Sequence, residues 1–260
     1  MRRCEWIIWV TIGLGLANLC GAQENPAPAV VDAPMTVEQV VRNLQEKNQI
    51  RSRALHEFQG TRTYRMKYRG FPSDRDAEMV VNMTYQSPDK KDFTVVSETG
   101  SKFIINRVFK KLLEGEQEAA NEDNQRRTAL STQNYDFALE GFEPSAEGGT
   151  YVLQLSPKTA NKFLVRGKIW VNGKDFAVVR IEGEPAKNPS FWIKKSRVEH
   201  MYTKVNGFWF PAENHTTSWI RLGGRAELSI EYRNYKIIEA GPLNRIQTGG
   251  PQPTITAAFQ

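Results

Sequence analysis

Apolar and polar positions along this chain follow two periods, and the periods divide it into segments. Thr36 stands as an N-cap, with Gln39 three residues on to complete a capping box. Val37, Val40, Val41 and Leu44 recur at helical spacing, and Ile50, Ala54, Leu55 and Phe58 resume it. This predicts one helix over about 36–57, with room for a kink near Asn48. The period then changes to two. Tyr64, Met66 and Tyr68 alternate with Thr63, Arg65, Lys67 and Arg69, and Met79, Val81, Met83 and Tyr85 alternate with Asn82, Thr84 and Gln86. Phe93 to Glu98 reads as a third strand. After Gly100 and Ser101 the helical period returns, through Phe103, Ile104, Ile105, Val108, Phe109, Leu112 and Leu113. The polar stretch Glu114 to Arg127 fits either helix or loop.

Strand patterns fill the remainder, over 134–143, 150–156, 164–171, 176–184, 192–205, 208–219 and 224–238. Asn172-Gly173 and Asn206-Gly207 are the dipeptides that favour tight hairpins. In the last strand Ala226, Leu228, Ile230 and Tyr232 take one face, and Glu227, Ser229, Glu231 and Arg233 the other. Nearly consecutive hairpins predict an antiparallel meander rather than a parallel doubly wound sheet. About ten strands against two helices imply a curled sheet whose concave face the helices cover only in part, leaving an apolar cavity.

The two ends carry a different signal. Arg2 and Arg3 precede an apolar run, Trp6 to Leu19, too short to span a bilayer. Cys20 and Ala22 then fit the small-residue places of a cleavage site, so residues 1–22 read as an export signal. Acylation of Cys20 is the rival reading, though Leu19 is bulky for such a site. Cleavage after Ala22 removes both cysteines, Cys4 and Cys20, as suits an oxidising compartment such as the periplasm. Residues 23–35 form a Pro/Ala-rich linker, 36–240 one folded domain, and 241–260 a loose Gly/Pro/Thr-rich tail.

At 260 residues, 40% apolar and 25% charged, the chain has the composition of a globular protein, not a disordered or membrane-embedded one. Its formal net charge is +6. The leader contributes +1, residues 23–35 contribute −2 and the tail +1, which leaves +6 on 36–240. The cations are spread, in Arg65, Lys67 and Arg69, Lys90 and Lys91, Lys110 and Lys111, and Lys194 and Lys195. Together with export this disfavours nucleic acid, and leaves either a solvated face or attraction to an anionic membrane surface.

No phosphate loop, dinucleotide fingerprint, nucleophile elbow, HExxH or CxxC is present, and no cofactor is implied. If Asn206-Gly207 makes a two-residue turn, His200 lies opposite Glu213, and His215 lies two positions further along the same face. His200, Glu213 and His215 then form a candidate metal set for an exported hydrolase, set against the plainer reading of ordinary cross-strand contacts. The candidate lining of the cavity is Tyr64, Met66, Tyr68, Met79, Val81 and Met83, with Trp170 and Trp209, because methionine and aromatic side chains fill either a core or an adaptable apolar site.

The order of parts, an export signal, an amphipathic helix, three strands, a helical insertion and a strand-rich remainder, resembles the LolA/LolB-like outer-membrane lipoprotein-sorting superfamily. Residues 163–237 carry the resemblance, with IWV at 169–171, DFAVVRI at 175–181, GFWFP at 207–211 and a long final strand. It implies an antiparallel half-barrel with helices over its concave face. It also implies a non-enzymatic periplasmic carrier of lipoprotein acyl chains or other lipid, with Val108 and Leu112 added to the lining. An envelope-stress sensor of the same fold is the alternative it leaves.

Overall fold

The structure, a computed structural model, describes residues 34–146 and 148–243. The expected leader with Cys4 and Cys20, the linker through residue 33 and the tail from residue 244 lie outside the described residues.

Helix α1 (Val37–Ala54) opens on the expected capping box: the Thr36 N–H donates to Gln39 Oε1 at 2.9 Å, and the Gln39 N–H to Thr36 Oγ1 at 3.4 Å. Three strands follow, β1 (Leu55–Arg69), β2 (Arg75–Gln86) and β3 (Lys90–Gly100). Next comes a helical insertion made of α2 (Lys102–Ile104), a π turn (Ile105–Phe109), α3 (Lys110–Ala120) and α4 (Glu122–Thr128). The remaining strands are β4 (Tyr135–Glu143), β5 (Thr150–Pro157), β6 (Val165–Asn172), β7 (Val178–Pro185), β8 (Ile193–Val205), β9 (Phe208–Ile220) and β10 (Arg225–Ala240). All ten form one antiparallel sheet in the order β3-β2-β1-β10-β9-β8-β7-β6-β5-β4. It consists of two meanders, joined where β10 returns to pair with β1.

The sheet is an open half-barrel. Helix α1 begins against β4, the last strand at one edge, and runs directly into β1, the third from the other. Eighteen helical residues span roughly 27 Å, whereas seven strand spacings on a flat sheet span roughly 34 Å; curling brings the ends together. The insertion likewise starts from edge strand β3 and leads to edge strand β4, so it too lies across the concave side.

Three apolar clusters hold these layers. Val40, Val41 and Leu44 of α1 pack on Leu153, Leu155, Ile169, Val171 and Ile181. Ile104, Ile105, Phe109 and Leu113 of the insertion pack on Tyr64, Met79, Val81 and Ile230. Ala54, Leu55, Phe208 and Phe210 form the third, at the junction of α1 and β1.

The structure differs from the sequence reading in three local places. First, the helix expected to run to 57 stops at Ala54. Leu55 is already extended (φ −92°, ψ 104°), and β1 gains partners on both sides, β2 and β10, from Glu57 onward. The apolar spacing of Leu55 and Phe58 suits a helix and an irregular strand start equally. Second, Asn172-Gly173 is not a two-residue turn. Asn172 Oδ1 accepts the N–H groups of Lys174 and Asp175 at 3.0 and 2.8 Å, which spreads the connection to Ala177. Asn206-Gly207, with φ of 49° and 86°, does make the tight turn. Third, a bulge at Ala212 interrupts the β8–β9 pairing. Tyr202 pairs with Pro211, but Met201 pairs with Glu213.

Candidate functional site

That one-residue slip decides the fate of the histidine cluster. Beyond Ala212 every side chain of β9 is displaced by one position relative to β8, so His200 faces Asn214 instead of Glu213. His200 is buried at 3% exposure, with Asn214 Nδ2 3.2 Å from its ring nitrogens. Burial pushes its imidazole down to about 4. Glu213 and His215 stand on the opposite, exposed face, 3.4 Å from each other. The expected metal set is therefore split across the sheet. Among the described residues no group of three or more His, Cys, Asp or Glu side chains is placed to hold a metal.

A cavity of about 170 Å³ lies on the concave side, where the three apolar clusters fail to merge. Each cluster supplies part of its wall: Leu130 and Val178 from the first, Tyr232 from the second, and Leu55, Phe208 and Phe210 from the third. Phe58, Phe210 and Tyr235 form an aromatic cluster at one side: Phe210 stacks on Tyr235 with centroids 4.4 Å apart, and Phe58 lies tilted against Phe210 at 4.9 Å. Tyr235 is fixed by donating its hydroxyl to Pro211 O at 2.9 Å.

The other side of the cavity is charged. Arg62 lies on the inward face of β1, in phase with Tyr64, and forms an ion pair with Glu116 of α3. Their side chains are 7% and 5% exposed. Tyr64 Oη donates to Glu116 Oε1 at 3.0 Å, and Lys91 Nζ stands 3.9 Å from Glu116 Oε2. The Arg62 guanidinium lies 5.3 Å from the Phe93 ring and 5.1 Å from that of Tyr232. Its Nε is buried without a hydrogen-bond partner among the described residues.

Two cations thus share one carboxylate in a desolvated place. Burial alone would raise the Glu116 carboxyl, but Arg62, Lys91 and the Tyr64 hydroxyl outweigh it and hold the group below the usual carboxylate range. Burial likewise lowers Lys91, an effect that Glu116 only partly opposes. Tyr202 and Tyr232 are held neutral by burial. A third cation, Arg51 at the end of α1, also lines the cavity. It donates to the carbonyls of Asp175 and Phe176, each at 2.9 Å, and burial lowers it to about 10 against the opposing charge of Asp175.

Of the expected lining residues, Met83 and Trp209 line this cavity. Trp209 donates Nε1 to Asp175 Oδ2 at 3.0 Å, tying the β6–β7 turn to the rim. Tyr64, Met79 and Val81 are fully buried in the second cluster, with Met66, Tyr68, Val108 and Leu112 packed against it. The insertion itself occupies the concave face over β1 and β2, so these residues hold the insertion down and do not face the cavity. The π turn places Phe109 and Leu113 at the centre of that contact and Val108 and Leu112 at its flank. Trp170 lies on the other face of the sheet, against Arg180 at 4.8 Å, with its Nε1 3.3 Å from Glu143 Oε1.

The residues that the apolar pattern did not single out are Arg62, Lys91 and Glu116. Their signal was a charge in apolar phase. Arg62 stands two positions before Tyr64 on the buried face of β1, and Glu116 continues the Ile105, Phe109, Leu113 stripe of the insertion.

No family model matches the chain, and no curated protein matches it. Solved structures similar to it include a DUF1329 family protein from Desulfovibrio piger, 11% identical, covering 78% of this chain and 93% of that one with a TM-score of 0.38. A LolA superfamily protein from Nitrosomonas europaea is 12% identical over 77% of this chain and 94% of that one, with a TM-score of 0.33. The crystal structure of MucB is 11% identical over 84% of this chain and 64% of that one, with a TM-score of 0.25.

Proposed function

We propose that the protein is an exported binder or carrier of lipid acyl chains, acting without catalysis in the periplasm, and that its ligand carries an anionic head. The observation that carries this reading is the cavity itself: an aromatic and aliphatic wall ending on a buried centre where Arg62 and Lys91 share Glu116. An apolar tail suits the wall, and an anionic head suits the surplus cation and the unpartnered Arg62 Nε. A cavity of roughly 150 Å³ holds a guest the size of benzene. The space present therefore fits a short segment of one chain, and a longer chain enters by displacing the insertion. The insertion is joined to the sheet through Glu116, so the same ion pair that would meet the head also restrains the lid.

The test is lipid extraction and native mass spectrometry of protein taken from its own compartment, followed by uptake of a fluorescent fatty acid. Bound lipid, and uptake weakened about tenfold or more by Lys91→Met, support the reading. Bare polypeptide together with no uptake overturns it. The mass of the same sample reports whether cleavage follows Ala22.

A further inference from the structure

We propose that the strand-end surface formed by Phe71, Phe103, Phe191, Trp192, Trp219 and Leu222 is a docking site for an anionic lipid bilayer. These six are among the ten large apolar residues that stand exposed in the described chain, and all six lie at one end of the sheet. That end comprises the close of β1, β3, β7 and β9 and the start of β2, β8 and β10. The most exposed are Phe191 at 75%, Phe71 at 73% and Leu222 at 67%. Large apolar side chains concentrated at one end of a molecule, rather than scattered, mark an interaction surface.

The loops that carry them are held together. The Arg221 N–H donates to Trp192 O at 2.9 Å and Arg221 Nε to Phe191 O at 2.6 Å, joining the β9–β10 turn to the β7–β8 loop. Tyr68 Oη donates to Phe71 O at 2.6 Å and lies 3.4 Å from Gly223 O, joining the β1–β2 loop to the same turn. Gly70 and Gly224 meet so closely that a Cβ on Gly70 would sit 2.6 Å from the Gly224 Cα, and Gly224 has φ +118°. The patch is thus a preformed surface.

Its charge selects the occupant. Arg75, Arg221 and Arg225 lie against the rings of Phe103, Phe191 and Trp219 at 5.2, 5.2 and 6.0 Å. Residues 186–197 carry Lys187, Lys194, Lys195 and Arg197 with no acidic residue between them. The nearby acids are engaged: Asp74 and Asp76 with Arg69, Glu184 with Lys195, and Glu227 with Arg225. Arg75, Lys187, Lys194 and Arg221 make no ion pair among the described residues. Aromatic rings with the unpaired cations Arg75 and Arg221 against two of them, and Lys187 and Lys194 beside a third, match the headgroup region of an anionic leaflet, where each Lys or Arg adds to binding and each ring buries its apolar body. No described helix is long and apolar enough to cross a membrane. The patch shares no residue with the cavity wall, and docking and ligand uptake are therefore separable.

The experiment uses the chain without residues 1–22, whose apolar run would itself partition into vesicles; every described element lies beyond that run. Flotation with phosphatidylcholine vesicles is compared with flotation on vesicles enriched in phosphatidylglycerol, at low and high salt. The expected result is binding to the anionic vesicles that salt weakens, and a loss of about tenfold or more in the double variant Phe191→Ser, Trp192→Ser. The variant keeps its melting temperature and its fatty-acid uptake. Binding that is absent for the parent chain, or equal for parent and variant, overturns the proposal. So does sedimentation showing a dimer that the double variant breaks, since the patch would then be covered by a second copy.

Discussion

Glu116 is the residue on which the insertion and the sheet agree. Replacing it with alanine leaves Arg62 and Lys91 buried without their counter-charge, and the expected loss is about 3–5 kcal/mol in urea unfolding. Replacing both partners, Arg62→Met with Glu116→Leu, is expected to recover much of that loss, because apolar groups of similar volume need no compensating charge. A double variant weaker than the single one would refute the pairing. The pH dependence has a definite sign. The folded carboxyl lies below its ordinary value, so the pair contributes in full above the unfolded carboxylate range and is lost as pH falls through the lowered folded value.

His200 adds a second acid-sensitive contribution at higher pH. Its folded value is about 4, while an unfolded imidazole binds its proton near 6.5. Between those values the unfolded state holds the extra proton, so stability falls as pH is lowered. The difference amounts to roughly 3 kcal/mol when the whole window is crossed. Unfolding free energies measured from about pH 7 down to about pH 4 should show that decline, and His200→Gln should flatten it. An unchanged slope in the variant would mean that another group carries the effect.

At the scale of elements, the β8–β9 hairpin shows how one residue redirects a whole strand. Ala212 is the extra residue that turns Asn214 inward to His200 and sends Glu213 and His215 to solvent. Deleting Ala212 would join Pro211 directly to Glu213 and keep the pairs Tyr202–Pro211, Met201–Glu213 and His200–Asn214, removing the bulge alone. The expected outcome is a soluble variant that loses about 1–3 kcal/mol in urea unfolding, while Ala212→Ser stays within about 0.5 kcal/mol of the parent. A deletion variant that loses the His200-dependent fall in stability between about pH 7 and pH 4 would contradict the register, since Asn214 would then no longer face the imidazole. The turn at Asn206-Gly207 was legible from its dipeptide, but the bulge was not, because alanine has no turn chemistry and only the pairing of β9 with β8 reveals the slip. Helix α1 shows the same contrast. Its start is written in Thr36 and Gln39, whereas its end at Ala54 depends on β2 and β10 claiming the backbone that follows.

At the scale of the whole molecule, the sheet places two surfaces of different character at different positions. The cavity is lined by the early part of β1 and the β8–β9 hairpin, and the aromatic patch stands at the far end of the same strands. From Phe58 to Arg69 is roughly 36 Å of extended chain. Ligand and membrane are therefore expected to be engaged by separate groups, which the uptake and flotation measurements distinguish. The sequence by itself determined the class of the fold, since strand and helix periods and turn dipeptides are local properties of neighbouring residues. It also marked the net positive charge of the folded segment. Only the tertiary structure decided that β10 closes on β1 and that the insertion covers the methionine strands. It likewise placed the cavity at Arg62, Lys91 and Glu116. These depend on contacts between residues far apart in the chain, and periodicity carries no information about which distant strand or helix a given face will meet.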